Sequence, residues 1–333
     1  MANLTFMNHT IFDHGATAQL GQVLMQHGIR RPLLCTDKGL VNLGMVTDLA
    51  ANLGNDAALT IYDGTPENPT QNSVEEATAK YLEAECDGVV AFGGGSSMDL
   101  AKAVALAVTH KGDLLDYTAG LGGAAKINDI APLIAIPTTS GTGSEVSSGA
   151  VIIMNNGEKL ILASKRLIPL TAICDPTLTI GLPAHLTAAT GMDAMTHCIE
   201  ALLSPQINPP AEAVGCDGIE RGIREGHLLR AVKDGGDVDA RWHMMMAATE
   251  GAMAFSKGLG AVHSMSHACG ADQTLRLHHG TLNAVILPTI LDFNRSHVGD
   301  KYARLNIAMG LDSDDDPAAF IRDLNEQLGL PAN

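Results

Sequence analysis

Up to about residue 180, buried apolar runs each end in a glycine-, proline- or hydroxyl-rich turn, and beyond that point the strand signals stop. "RPLLCTDKG" (31–39), "ALTIYDGTPENPT" (58–70), "CDGVVAFGGG" (86–95) and "PLIAIPTTSGTGSEV" (132–146) read as strands running into loops. "SSMDLAKAVALAVTH" is a helix of good formers, and "AVIIMNNGEKLIL" (150–162) carries the "NNG" of a hairpin turn. Strands alternating with helices predict a mostly parallel, Rossmann-like α/β domain over residues 1–180. From "LPAHLTAATGMDAMTHCIEALL" onward, Ala, Met, His and Leu recur at helical spacing, which predicts an all-α domain over 181–333. Without repeats or long linkers the two domains are expected to lie close together, with a ligand groove between them.

Composition narrows the function. The formal charge of −16 opposes binding to nucleic acid and to anionic membrane surfaces, so an anionic ligand must be captured by local groups. Aromatics are scarce at 3%, which suits packed helices and glycine turns better than a β-sandwich. The six cysteines (35, 86, 174, 198, 216 and 269) form no CxxC pair and read as reduced thiols of a cytoplasmic protein. "MANLTFMNHTIFDHG" has neither the charged start nor the apolar run of a signal peptide, and no stretch is long enough to span a bilayer.

Gly93, Gly94 and Gly95 follow a strand and precede a helix opening with Ser96 and Ser97. Backbone amides and a helix N-terminus can there approach a phosphate, although a tight strand-to-helix turn reads the same way. "PTTSGTGS" is a second such loop, and two at neighbouring strand ends would line one nucleotide crevice. Asp37, ending "LLCTD", could accept from a ribose diol and repel a 2′-phosphate, favouring NAD over NADP; an ordinary turn aspartate is the alternative.

The second half holds Asp193 and His197 four residues apart in "GMDAMTHCIE", and His263 and His267 four apart in "GAVHSMSHACG". Each pair shares one helix face. "LRLHHGTLNAVILP" adds His278 and His279 before a glycine and a new helix. One carboxylate with three imidazoles suits Fe(II), Zn(II) or Mn(II), whereas "HSMSH" lacks the glutamate of an HExxH protease. Any one of these histidines alone would read as a packing or surface group.

"GGGSSMDLAK", "PTTSGTGSEV", "ATGMDAMTHCIE", "GLGAVHSMSHACG" and "HHGTLNA" occur in an order that resembles the iron-containing (group III) alcohol dehydrogenases over essentially the whole chain. "RPLLCTDKG", "QINPPAEA", "KGLGAVHSMSH" and "RLHHGTLNAV" look most like its 4-hydroxybutyrate dehydrogenase branch. The resemblance implies a dehydroquinate synthase-like architecture: an N-terminal NAD-binding α/β domain and a C-terminal helical metal domain, often in a dimer. It implies that Asp193, His197, His263 and His279 hold Fe2+ (Zn2+ or Mn2+ being alternatives) and that His267 transfers protons. It also implies that Asp37, Asn68, Gly94, Gly95, Ser96, Thr138, Thr139 and Lys159 contact NAD, with Asp99 and Lys102 completing a "GGGSxxDxxK" motif.

Two departures are visible. Relatives continue for several dozen residues past a "GLP" like that at 329–331, so a terminal helical segment is expected to be missing here, and the stretch from His267 to His278 is shorter than in that branch. The implied activity is NAD-linked interconversion of a small primary alcohol, 4-hydroxybutyrate being a candidate, with its aldehyde. A dehydroquinate-synthase-like lyase, a maleylacetate-reductase-like enzyme and an inactive NAD-binding homologue are the alternatives. A hydroxy-acid substrate needs a local cation, and Lys257, six residues before His263, is the expected one; a solvated lysine at a helix end is the other reading.

Overall fold

The computed structural model describes residues 2–4, 7–53, 57–270, 275 and 277–332. Asn333 and most of the 271–276 stretch, on which the expectations about chain end and loop length bear, lie outside them. The chain forms two compact units, one comprising 1–138 and 144–175, the other 139–143 and 176–333.

In the first unit the strands are β1 (Ala2–Leu4), β2 (His9–Phe12), β3 (Pro32–Cys35), β4 (Thr60–Tyr62), β5 (Gly88–Gly93), β6 (Leu133–Pro137) and β9 (Thr171–Cys174). They form one sheet in the order β1-β2-β9-β6-β5-β3-β4. Only β1 runs antiparallel to its neighbour; β2 to β6 and β9 are mutually parallel. Parallel central strands are covered on both faces, which is why β3, β5 and β6 are buried at every residue rather than at alternate ones. The hairpin of the "NNG" stretch forms a separate two-stranded sheet, β7 (Gly149–Ile153) with β8 (Lys159–Ala163).

The helices of this unit are α1 (Leu20–Gln26), α2 (Lys38–Asn42), α3 (Met45–Ala50), α4 (Gln71–Glu83) and α5 (Gly95–Ala107). Leu100, Val104 and Leu106 of α5 join Leu33, Val89 and Leu133 of the strands in one apolar core. Following the chain, β4 lies on one side of β3 while β5, β6 and β9 lie on the other. This is the flavodoxin-like doubly wound order, and its reversal point falls between β3 and β5.

The second unit is helical: α6 (Ala184–Leu203), α7 (Pro209–Ile219), α8 (His227–Lys233), α9 (Val238–Ala254), α10 (Ala261–Cys269), α11 (His279–Asn294), α12 (Lys301–Met309) and α13 (Pro317–Gln327). Helix α6 packs against α7, α8, α9 and α11. A helix enclosed by four others must be apolar nearly all round, and Met192, Met195, Ile199 and Leu202 of α6 meet Met244, Leu287 and Leu291 in the core. Asp193, Thr196, His197 and Glu200 are buried in that same helix. Buried polar groups on a core helix cost free energy unless they are partnered. Among the described residues no helix is long and apolar enough to cross a membrane.

Candidate cofactor and metal sites

Asp37, Gly94, Gly95 and Ser96, and Thr138 come to the C-terminal ends of three neighbouring parallel strands, β3, β5 and β6. Such strand ends beside a reversal point are where open α/β sheets bind nucleotides. Asp37 caps α2, accepting from Leu40 N at 3.1 Å through Oδ1. Gly94, the N-cap residue of α5, supplies no side-chain cap, so the first amides of the helix remain available to an anion. The two loops are tied together, with Thr138 N donating to Gly93 O at 2.9 Å. Ser96 Oγ donates to Glu67 O, and Lys159 Nζ donates to Asn68 Oδ1 at 2.9 Å. Thr139 opens the short 139–143 segment grouped with the second unit.

Asp99 and Lys102 do not face outward. Lys102 is fully buried, and its ammonium donates to Ser144 Oγ, Ser147 O and Oγ, and Gly149 O at 2.8–3.0 Å. Asp99 accepts from Ser144 Oγ and Val151 N, both at 2.8 Å. Burial lowers the Lys102 pKa to about 8 and raises that of Asp99. The pair anchors the strand that follows the hydroxyl-rich loop.

In the second unit Asp193 Oδ1 faces three imidazole nitrogens: Nε2 of His197 at 3.9 Å, of His263 at 3.6 Å and of His279 at 3.5 Å. Four donors each about 2.1 Å from one centre would stand about 3.4 Å apart in a tetrahedron. The three contacts to Asp193 Oδ1 are near that spacing, and ligand atoms of Asp193, His197 and His263 all lie within 4.8 Å of one another, while His279 joins the group through its 3.5 Å approach to Asp193. The three helices that bring them together are α6, α10 and α11. Gly280 permits the last approach, because a Cβ there would sit 2.1 Å from Ala189 O of α6.

The electrostatics agree with a cation site. Burial opposes ionisation of Asp193, but the surrounding imidazoles hold its pKa well below the ordinary carboxylate range. Burial lowers the His197 pKa to about 4, leaving that ring neutral. His263 is buried as well, yet Asp193 and Glu200 outweigh the desolvation and raise it to about 9. His267 sits one turn along α10, half-buried, with its ring 4.9 Å from that of His279.

Two residues absent from the sequence reading join the group. Glu200 lies seven positions after Asp193 on the same face of α6, and its Oε2 is 2.7 Å from His263 Nδ1. Asn283 lies one turn after His279 and is fully buried. Its Nδ2 is 2.7 Å from Asp193 Oδ1 and 3.2 Å from Nε2 of both His263 and His279. Its buried Oδ1 lacks a hydrogen-bond partner among the described residues. A positive partial charge is thus directed at the point where acceptor atoms converge, as a metal ion's charge would be. A second close group, Glu225, His227 and His243, is already balanced by cations: Arg221 Nη1 is 3.1 Å from His243 Nδ1, and Arg230 binds the adjacent Asp239 at 2.9 Å.

Lys257 corrects the expectation of a substrate-binding cation. It ends a short 3-10 turn before α10, with its side chain fully buried. Its ammonium donates to Ala201 O, Leu202 O and Ser204 O at 2.9–3.1 Å and pairs with Glu212 at 2.8 Å. Its hydrogen-bonding capacity is saturated by the C-terminal carbonyls of α6.

Comparison with known proteins agrees with this geometry. The family described as iron-containing alcohol dehydrogenase matches residues 8–176, and its C-terminal domain matches 187–333. The chain is 52% identical to 4-hydroxybutyrate dehydrogenase of Cupriavidus necator, over 99% of this chain and 88% of that protein. Among solved structures, 1,3-propanediol oxidoreductase superposes with a TM-score of 0.91 at 35% identity, covering 97% of this chain and 85% of that one. Sulfoacetaldehyde reductase from Bifidobacterium kashiwanohense, solved with NAD+, gives 0.90 at 26% identity, covering 98% and 86%. A parallel α/β unit, a helical unit enclosing one carboxylate and three imidazoles, and similarity along the whole length lead to one assignment: the chain belongs to the iron-containing alcohol dehydrogenases, oxidoreductases of dehydroquinate synthase-like fold.

Proposed function

We propose that this protein is an NAD-linked, divalent-metal-dependent dehydrogenase that interconverts 4-hydroxybutyrate, or a close small primary alcohol, with its aldehyde. The observation that carries the reading is the convergence of Asp193 Oδ1 with three Nε2 atoms, in a chain 52% identical to a 4-hydroxybutyrate dehydrogenase. Asp193, His197, His263 and His279 hold the metal, with Fe2+ favoured by the family and Zn2+ or Mn2+ chemically admissible. When bound, the metal supplies Lewis acidity toward the alcohol or carbonyl oxygen. NAD supplies the hydride acceptor, and the protein only positions it.

The chain's own residues prepare the site. Asp193 provides the negative charge, His197 and His279 provide lone pairs, and Glu200 accepts a hydrogen bond from Nδ1–H of His263. His267, half-buried beside His279, carries the alcohol's proton toward solvent. Residues 1–180 form the NAD-binding domain and 181–333 the metal-binding catalytic domain. On the cofactor side, α5's uncapped amides with Gly94, Gly95 and Ser96 receive the pyrophosphate, while Asp37 accepts from the adenosine ribose and disfavours NADP. Asn68, Thr138, Thr139 and Lys159 complete the contacts. The protein acts in the cytoplasm, consistent with its six free thiols. It forms a dimer through the edge of the sheet, where β1 is the outermost strand.

Purified protein loaded with Fe(II) should accumulate NADH on addition of 4-hydroxybutyrate and NAD. A lyase that uses NAD only transiently would turn over substrate with no net NADH, and that result would overturn the proposal.

A further inference from the structure

We propose that Glu200 is a positioning residue of the metal centre, one that orients His263 and anchors the helix carrying both His263 and His267. The inference rests on the reading that Asp193, His197, His263 and His279 hold a metal. Asp193, His197 and Glu200 occupy positions i, i+4 and i+7 of α6, one continuous stripe of a core helix. The first two turn toward the ligand cluster, and the third reaches over to the start of α10.

Glu200 is 5% exposed, and both of its oxygens are engaged. Oε1 accepts from Val262 N at 2.8 Å, and Oε2 accepts from Gly260 N at 3.0 Å and His263 N at 3.3 Å. Helix α10 has no cap of its own, because its N-cap residue is Gly260. A carboxylate from another helix therefore satisfies its first amides and complements its dipole. Gly260 is required for this contact: a Cβ there would lie 2.5 Å from Glu200 Oε1.

The same Oε2 accepts the Nδ1 proton of His263 at 2.7 Å. With Nδ1 committed as a donor, Nε2 is the nitrogen that faces Asp193 and the one that would offer its lone pair to a metal bound there. One carboxylate thereby sets the tautomer of a ligand and the position of the helix on which His267 follows one turn later. A carboxamide cannot reproduce this. All four groups facing Glu200 are donors, so a glutamine must turn its NH2 against at least one of them.

The test is Zn(II) binding to chelator-stripped protein, measured by competition with a chromophoric chelator. Wild type should bind one Zn(II) per chain; failure to do so sinks the metal reading itself, not the role of Glu200. Glu200→Gln should weaken binding by about 10–100-fold. In a His263→Ala background the same substitution should change the remaining affinity by less than about twofold, since Glu200 acts through that ring. In the Zn-loaded wild type the His263 Nδ1 proton should resonate far downfield, and in Glu200→Gln it should move upfield while the His197 ring signals stay in place. Should Glu200→Gln fail to fold, Glu200→Asp keeps an acceptor-only charge with shorter reach and should show a smaller loss. Unchanged Zn(II) affinity in a folded variant, or equal losses with and without the His263 ring, would overturn the proposal.

Discussion

His263 and His267 are one turn apart on α10, yet their surroundings differ. His263 is 3% exposed and held between Asp193 and Glu200, whereas His267 is half-buried beside the cluster. The two alanine variants should therefore separate. His263→Ala should leave a folded, NAD-binding protein that retains little metal and does not oxidise alcohol. His267→Ala should keep its metal and lose roughly two to four decades in kcat. Metal analysis alongside steady-state kinetics distinguishes them, and metal loss in His267→Ala would reverse the assignment. Lys257 predicts the opposite kind of effect. Its ammonium is enclosed by three carbonyls and Glu212, and removing one partner of a buried charged cluster costs about 3–5 kcal/mol. Lys257→Met should lower the denaturation midpoint accordingly while leaving the KM for 4-hydroxybutyrate unchanged in the folded fraction. A raised KM with unchanged stability would restore a substrate-binding role.

At the scale of elements, Asp37 both caps α2 and stands at the sheet's reversal point. Glycine is a tolerable N-cap, costing only a few tenths of a kcal/mol relative to aspartate, so Asp37→Gly should leave stability nearly intact. The ratio of kcat/KM for NADP to that for NAD should nevertheless rise, because a carboxylate near the ribose is lost; an unchanged ratio would remove Asp37 from the adenosine site. What the residues revealed in advance follows from how local each signal is. β3, β5 and β6 are uninterrupted apolar runs between turns, and the Asp193/His197 and His263/His267 pairs are fixed by helical spacing alone. β9 is only "TAIC", too short to show a period, and its insertion between β2 and β6 depends on pairings remote in sequence. Glu200 and Asn283 are types that usually face water, and nothing nearby in the chain marks them as buried. Lys257 misled for the same reason: a lysine at a helix end reads as solvated until the carbonyls around it are seen.

The whole molecule carries 37 acidic residues, and one of them links stability to pH away from the metal donors. Burial raises the Glu250 pKa from 4.5 to about 9, with Asp217 adding to the rise and Arg221 opposing it. The contribution of its neutral carboxyl is complete below the ordinary value and is lost as pH rises through about 9. Glu250→Gln keeps the neutral shape, so its Tm advantage over wild type should grow between about pH 5 and pH 9. A constant difference would show that Glu250 folds ionised.

Whether one metal at the Asp193 cluster makes this chain an NAD-linked alcohol dehydrogenase is decided by titration. Fe(II) is added anaerobically to chelator-stripped protein while NADH formation from 4-hydroxybutyrate is followed. Activity should be negligible without metal, rise linearly with added Fe(II) and saturate at one ion per chain. Full activity in the stripped protein, or saturable Fe(II) binding that leaves NADH formation unchanged, would contradict it.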